Sequence, residues 1–115
     1  MNYCGLNKND IAAAPGFSVT LYVSGCDKHC PGCHNPETWD PNYGKPLTWD
    51  VIREIIDDLN SCPVTKNLCL MGGDPLHPNN IFHISVLIAV IKEKCPKVPI
   101  YLWTGYTWEE LQLII

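Results

Sequence analysis

Phe17-Ser-Val-Thr-Leu-Tyr-Val-Ser-Gly-Cys-Asp-Lys-His-Cys-Pro-Gly-Cys33 is the stretch on which the fold turns. Its first seven residues alternate apolar with small or polar side chains and are rich in β-branched types. That pattern predicts a strand over 17–23. Ala14-Pro15-Gly16 supplies a turn before it. Cys26, Cys30 and Cys33 follow the strand directly. Pro31, Pro36, Pro41 and Pro46, with Gly32 and Gly44, keep residues 25–47 largely irregular.

Beyond this loop the pattern alternates. Thr48 is suited to be an N-cap. Behind it Val51, Ile52, Ile55, Ile56 and Leu59 form one helical stripe, with Arg53, Glu54, Asp57 and Asp58 facing away. Cys62-Pro63 is expected to end that helix. Asn67-Leu-Cys-Leu-Met71, stopped by Gly72-Gly73, predicts a short buried strand. Pro78 suits the first turn of a second helix, whose apolar residues are Ile81, Ile84, Leu87, Ile88 and Ile91. Lys92-Glu93-Lys94 and Pro96 close it. Val98-Pro-Ile-Tyr-Leu-Trp103 predicts a third strand. Thr107-Trp-Glu-Glu110 has capping-box spacing and predicts a third helix.

Strand and helix in alternation imply an α/β fold with a parallel sheet and right-handed helical crossovers. Ligands of such sheets bind beyond the carboxyl ends of the strands. Ser24-Gly25-Cys26, Gly72-Gly73-Asp74 and Thr104-Gly105-Tyr106 fall at that edge. The pattern therefore brings the cysteine loop beside the Gly-Gly-Asp turn.

The chain has 115 residues, 46% of them hydrophobic and 17% charged, with a formal net charge of −4. That length supports one domain with a modest core. The acidic balance and the lack of a basic run argue against nucleic acid as a partner. The longest apolar run, Val86 to Ile91, is too short to span a membrane. Seven cysteines, an odd number, and an opening without a signal-like segment favour a reducing, cytoplasmic setting. Cys4, Cys62, Cys69 and Cys95 are scattered and read as small buried hydrophobes. Leu111-Gln-Leu-Ile-Ile115 is an apolar helical segment with no polar stop, as expected of a fragment of a longer domain or of an incomplete gene product.

Three thiolates spaced four and then three residues apart can converge on one metal centre. Several chemistries fit that spacing. A 4Fe-4S cluster held by three cysteines keeps one iron open for a ligand. A structural zinc site wants four ligands, and His29 or His34 can complete a Cys3His set. Cys30-Pro-Gly-Cys33 also has the spacing of a thioredoxin-like redox pair, although Pro36 sits poorly in the helix such a pair opens. At the second edge, glycines let a ligand approach the backbone, and Asp74 can accept hydrogen bonds from an ammonium group. A tight turn capped by Asp74 accounts for the same residues.

Taken together, Cys-x3-Cys-x2-Cys after a first strand and Gly-Gly-Asp-Pro after a second resemble the radical S-adenosylmethionine (SAM) enzymes. Val23-Ser-Gly-Cys26, Cys30-Pro-Gly-Cys-His-Asn-Pro-Glu-Thr-Trp39, Gly72-Gly-Asp-Pro-Leu-His-Pro78 and Trp103-Thr-Gly-Tyr-Thr107 narrow the resemblance to the activating-protein branch that serves anaerobic ribonucleotide reductase. Four motifs in one order cover most of the chain. The resemblance implies a single radical SAM core over residues 1–115. Its sheet is expected to be a partial (β/α) barrel, short of the family's C-terminal strands.

The resemblance also implies cofactors and roles. Cys26, Cys30 and Cys33 hold a 4Fe-4S cluster, and SAM binds its open iron. Gly72, Gly73 and Asp74 position the SAM amino group, while Gly32, Cys33 and His34 wall the SAM site. The implied activity makes a 5′-deoxyadenosyl radical that takes hydrogen from a glycine of the large reductase subunit, with electrons from a small donor such as flavodoxin. Activation of another glycyl-radical enzyme, of the formate lyase type, is the neighbouring alternative, and a non-catalytic Cys3His zinc module is the bland one. The chain departs from the family at Ala13-Ala14, where Asn-Gly is frequent, and at Ser18, where arginine is common. His77 and His83 carry no implied role. Trp39, Trp49, Trp103 and Trp108 read chiefly as packing residues, and Tyr106 as a turn residue.

Overall fold

The computed structural model describes residues 1–26, 39–61 and 64–109. Its elements are β1 (Asn2–Asp10), β2 (Ser18–Val23), β3 (Lys45–Pro46), α1 (Trp49–Ser61), β4 (Asn67–Gly72), α2 (Ile81–Lys94) and β5 (Ile100–Leu102). They build one mixed five-stranded sheet in the order β3-β1-β2-β4-β5. The Cys62-Pro63 helix stop lies outside the described residues. Of the expected third helix, Trp108 and Glu109 have helical geometry, and the rest lies outside the described residues.

The strands β2, β4 and β5 are parallel neighbours, as their alternation with helices predicts. Leu21 lies opposite Leu70, and Leu70 opposite Leu102. The sheet is not parallel throughout, however. Strands β1 and β3 run antiparallel, β1 pairing with β2 and β3 with β1. The physical reason is connection length. Residues 11–17 are too few for a crossover, which takes a dozen or more residues, so β1 and β2 can only pair antiparallel.

Side chains alternate across β2 and β4. Val19, Leu21, Val23, Leu68 and Leu70 are fully buried and join Ile52, Ile55 and Leu59 of α1 and Ile84, Leu87 and Ile91 of α2 in one core cluster. These helical residues repeat every three or four positions, which is why one stripe of each helix meets the sheet. Each such Leu or Ile contributes about 1.5–3 kcal/mol by leaving water.

Four more polar or small residues of these strands are also buried. Ser18, Thr20, Asn67 and Cys69 lie in register on the opposite face of β2 and β4. They satisfy one another and the loop before β2. Asn67 Nδ2 donates to the Pro15 carbonyl at 2.8 Å, and the Thr20 hydroxyl donates to Asp10 at 2.7 Å.

Helix α2 begins at Ile81, with Asn80 at its N-cap, so Pro78 belongs to the preceding turn and not to the first turn of the helix. That turn is wound by His77 N–H to the Asp74 carbonyl at 3.1 Å and Asn80 N–H to the His77 carbonyl at 2.7 Å. Its backbone bonds delay the helix by three residues.

Candidate metal and cofactor site

Three strand ends meet at one edge of the sheet. Strand β2 leads into Ser24-Gly25-Cys26, β4 into Gly73-Asp74, and β5 into Trp103-Thr104-Gly105. The first two are bonded directly. Gly73 N–H donates to the Val23 carbonyl at 2.8 Å, and Asp74 N–H donates to the Gly25 carbonyl at 2.6 Å. The parallel register continues one step past the strands, and so draws the Gly-Gly-Asp turn against the segment that carries Cys26.

Gly72 makes this approach possible. Its φ is +114°, and a Cβ there would lie 2.5 Å from the Val23 carbonyl oxygen and 2.6 Å from the Val23 nitrogen. Those are backbone atoms that cannot swing aside, so any side chain would push the turn off β2. Gly25 is held to glycine mainly by its φ of +105°, and a Cβ there would also press on Pro41 at 3.2 Å.

Asp74 is buried, and its carboxylate accepts three donors. They are the Leu76 N–H at 2.9 Å, the Thr104 hydroxyl at 2.8 and 3.0 Å to its two oxygens, and the Gly105 N–H at 2.8 Å. Hydrogen bonds to a charged acceptor are the stronger kind, each worth roughly 1.5–3 kcal/mol net. This carboxylate therefore ties the end of β5 to the end of β4. Gly72 is exposed and Gly73 half-buried, so the backbone is the accessible part of the turn.

Asn80 is buried behind the same junction. Its side-chain Nδ2 donates to the Ser24 carbonyl at 2.7 Å and to the Asp74 carbonyl at 3.0 Å. The Ser24 hydroxyl donates to the Tyr43 carbonyl at 2.7 Å. Cys26 N–H donates to the Trp39 carbonyl at 3.2 Å, which closes the base of the cysteine loop. The Cys26 thiol is free and half-buried.

Cys30, Gly32, Cys33 and His34 lie outside the described residues. Among the described residues, no three His, Cys, Asp or Glu side chains gather as they would around a metal ion. The donor chemistry still favours an iron–sulfur cluster. Three thiolates in one loop, closed at its base by Cys26 and Trp39, form a soft donor set of the kind such clusters use.

Beneath the edge lies the polar face of the sheet. Cys4 Sγ sits 3.5 Å from the Tyr22 carbonyl. Burial pushes the Tyr22 hydroxyl above the usual tyrosine range, and the negative charge of Asp10 adds to the effect. Asp10 itself is held below the ordinary carboxylate range, first by the Ala12 N–H and then by the Thr20 hydroxyl. The site thus rests on a neutral phenol and an ionised carboxylate that already has its partners.

Of the residues singled out by sequence, Cys26, Gly72, Gly73 and Asp74 come together. His77, to which no role was assigned, is buried against Gly25. Thr104 and Gly105 lie at the edge that strand alternation marks, but their bonds to Asp74 and the part played by Asn80 are not legible in the sequence. Asn80 carries a local signal, since an asparagine just before an apolar helical run and two residues after Pro78 is a capping signal. Its actual partner, Ser24, is 56 residues away, which no local signal reveals.

Comparison with known proteins points the same way. Residues 12–114 match the family described as a 4Fe-4S single cluster domain. The chain is 45% identical over 112 residues to the anaerobic ribonucleoside-triphosphate reductase-activating protein of Escherichia coli K12, covering 96% of this chain and 73% of that one. It is 46% identical over 103 residues to the protein of the same name from Salmonella typhimurium, covering 89% and 67%. Its counterpart in Enterobacteria phage T4 is 38% identical over 112 residues, covering 97% and 71%. No solved structure matches the chain.

Proposed function

Because the chain belongs to the family of the anaerobic ribonucleoside-triphosphate reductase-activating proteins, we propose that it is a radical SAM activase that installs the glycyl radical of that reductase. The observation that carries this reading is the junction itself: the segment bearing Cys26 and the Gly72–Gly73–Asp74 turn are hydrogen-bonded neighbours.

Cys26, Cys30 and Cys33 would hold the 4Fe-4S cluster. When bound, the cluster and SAM would supply the one-electron radical chemistry that removes hydrogen from a glycine of the reductase. The protein supplies binding, orientation and shielding. Gly72 and Gly73 present accessible backbone to the amino group of SAM. Asp74 holds that backbone in place through Thr104 and Gly105. Gly32, Cys33 and His34 would form the loop wall beside SAM. A partial (β/α) barrel is the architecture that this reading extends from the parallel β2-β4-β5 unit, within a single core over residues 1–115. A flavodoxin-like protein is the electron donor that suits such a cluster.

Anaerobic reconstitution with iron and sulfide tests the proposal. The expected product is a brown protein with about four irons per chain, the count of the cluster itself. Its reduced spectrum shifts on adding SAM, and it forms 5′-deoxyadenosine. Cys30→Ala abolishes SAM cleavage, because two cluster ligands cannot replace three. A colourless chain holding one tight zinc, or 5′-deoxyadenosine formation by Cys30→Ala, refutes the assignment.

A further inference from the structure

Asn80 occupies the N-cap position of α2, where an asparagine side chain ordinarily accepts a hydrogen bond from an N–H of the first helical turn. Here it makes no such cap. Its amide is turned the other way and bridges two backbone carbonyls, Ser24 at 2.7 Å and Asp74 at 3.0 Å. Both partners are carbonyl oxygens, so the amide orientation is unambiguous: the nitrogen faces them. Asn80 Oδ1 is consequently buried with no hydrogen-bond partner among the described residues. A side chain that gives up its local cap and tolerates a bare buried oxygen is held there by what the nitrogen does.

What the nitrogen does is join the two halves of the site. Ser24 is two residues before Cys26. Asp74 closes the Gly-Gly turn. The other links between these segments, Gly73 N–H to Val23 and Asp74 N–H to Gly25, are backbone bonds. Among the described residues, Asn80 is the side chain that donates to both segments at once.

We propose that Asn80 is a positioning residue for the radical reaction: by bridging the Ser24 and Asp74 carbonyls, it sets the spacing between the cluster-bearing segment and the turn that receives SAM. This rests on the functional reading above, and the test separates the two. A ligand that reached both the cluster of the Cys26 loop and the Gly72–Gly73 backbone would span the junction that Asn80 bridges. A loosened bridge therefore disturbs SAM more than it disturbs the cluster.

Asn80→Ser and Asn80→Asp are the informative variants. Both residues are as good at an N-cap as asparagine, so the start of α2 is preserved. Serine is too short to span the two carbonyls, and aspartate places an oxygen against them in place of the donor. Asn79→Ala, one position away and exposed, is the control. Each full-length chain is reconstituted with iron and sulfide. Iron content, the electron paramagnetic resonance spectrum of the reduced cluster with and without SAM, and KM and kcat for 5′-deoxyadenosine formation are then measured.

The expected result is unchanged iron in all variants. KM for SAM rises about 10-fold or more in Asn80→Ser, as expected for two lost hydrogen bonds, and further in Asn80→Asp. The SAM-induced spectral change weakens in the same order, and Asn79→Ala matches wild type. A wild-type KM and spectral change in both Asn80 variants overturns the inference alone. So does loss of the cluster or the fold in both, since Asn80 would then hold the structure and not the spacing. A wild-type chain that carries the cluster but neither cleaves SAM nor responds to it overturns the functional reading, and this inference with it.

Discussion

Removing the Asp74 carboxylate should cost the protein much of its stability, through the far end of β5. In Asp74→Ala, the Leu76 and Gly105 N–H groups and the Thr104 hydroxyl all lose their acceptor. At roughly 1.5–3 kcal/mol for each bond to a charged group, with water recovering part of the loss, the expected cost is about 4 kcal/mol. A domain of this length has a total stability of about 6–17 kcal/mol. With a urea slope of about 2 kcal/mol per molar, the unfolding midpoint should fall by about 2 M. Urea titration followed by tryptophan fluorescence reads this directly, since Trp103 adjoins Thr104. The decisive measurement is a double-mutant cycle with Thr104→Val. If the carboxylate acts through Thr104, the two substitutions couple by about 1–2 kcal/mol. Strictly additive losses would refute the clamp and return Asp74 to a direct role toward a ligand. In the reconstituted protein the same Asp74→Ala variant should keep its cluster and bind SAM more weakly.

Three further outcomes follow from other parts of the fold. Gly72→Ala drives a Cβ into the Val23 backbone and should yield insoluble protein, or a cost above about 4 kcal/mol by thermal unfolding; a soluble variant with wild-type Tm would show that the turn can shift freely. Asp10 has its pKa lowered in the folded state, so its contribution is complete above the ordinary carboxylate value near about pH 4 and is lost as pH falls through the lowered value. Asp10→Asn should therefore flatten the acid limb of the stability profile, and an unchanged limb in acid-unfolding curves would contradict the assignment. Lys66, buried, donates to Asp58 at 2.9 Å and to the Lys8 carbonyl at 2.8 Å. Lys66→Met should cost about 2–4 kcal/mol in denaturant unfolding, because Asp58 loses its partner and a carbonyl its donor; a neutral effect would mean that water replaces both.

The elements that proved legible are those whose local pattern and tertiary use agree. In β2, the apolar positions 19, 21 and 23 are the ones that face the helices. In α1, the stripe of Ile52, Ile55 and Leu59 is the buried face. Strand β1 went unread because Asn2–Asp10 contains Gly5, Asn7, Asn9 and Asp10, residues with poor strand propensity. It is a strand because β2 offers it an edge, which is tertiary information. The site divides in the same way. The nearness of Cys26 to the Gly-Gly-Asp turn follows from strand alternation alone. The partners of Asp74 and Asn80 lie 30 and 56 residues away, and side-chain hydrogen bonds over such spans leave no periodic trace.

The bond from Cys26 to Trp39 has an entropic consequence. Twelve residues separate these two positions, and two of the three thiols are among them. Drawing together the ends of a free segment of that length costs about 2 kcal/mol, apart from a constant. The sheet has already met that cost before any iron arrives. The two ends of the segment whose sequence carries Cys30 and Cys33 are therefore already joined by a backbone bond, and a metal centre built on that segment does not have to meet the cost of closing it.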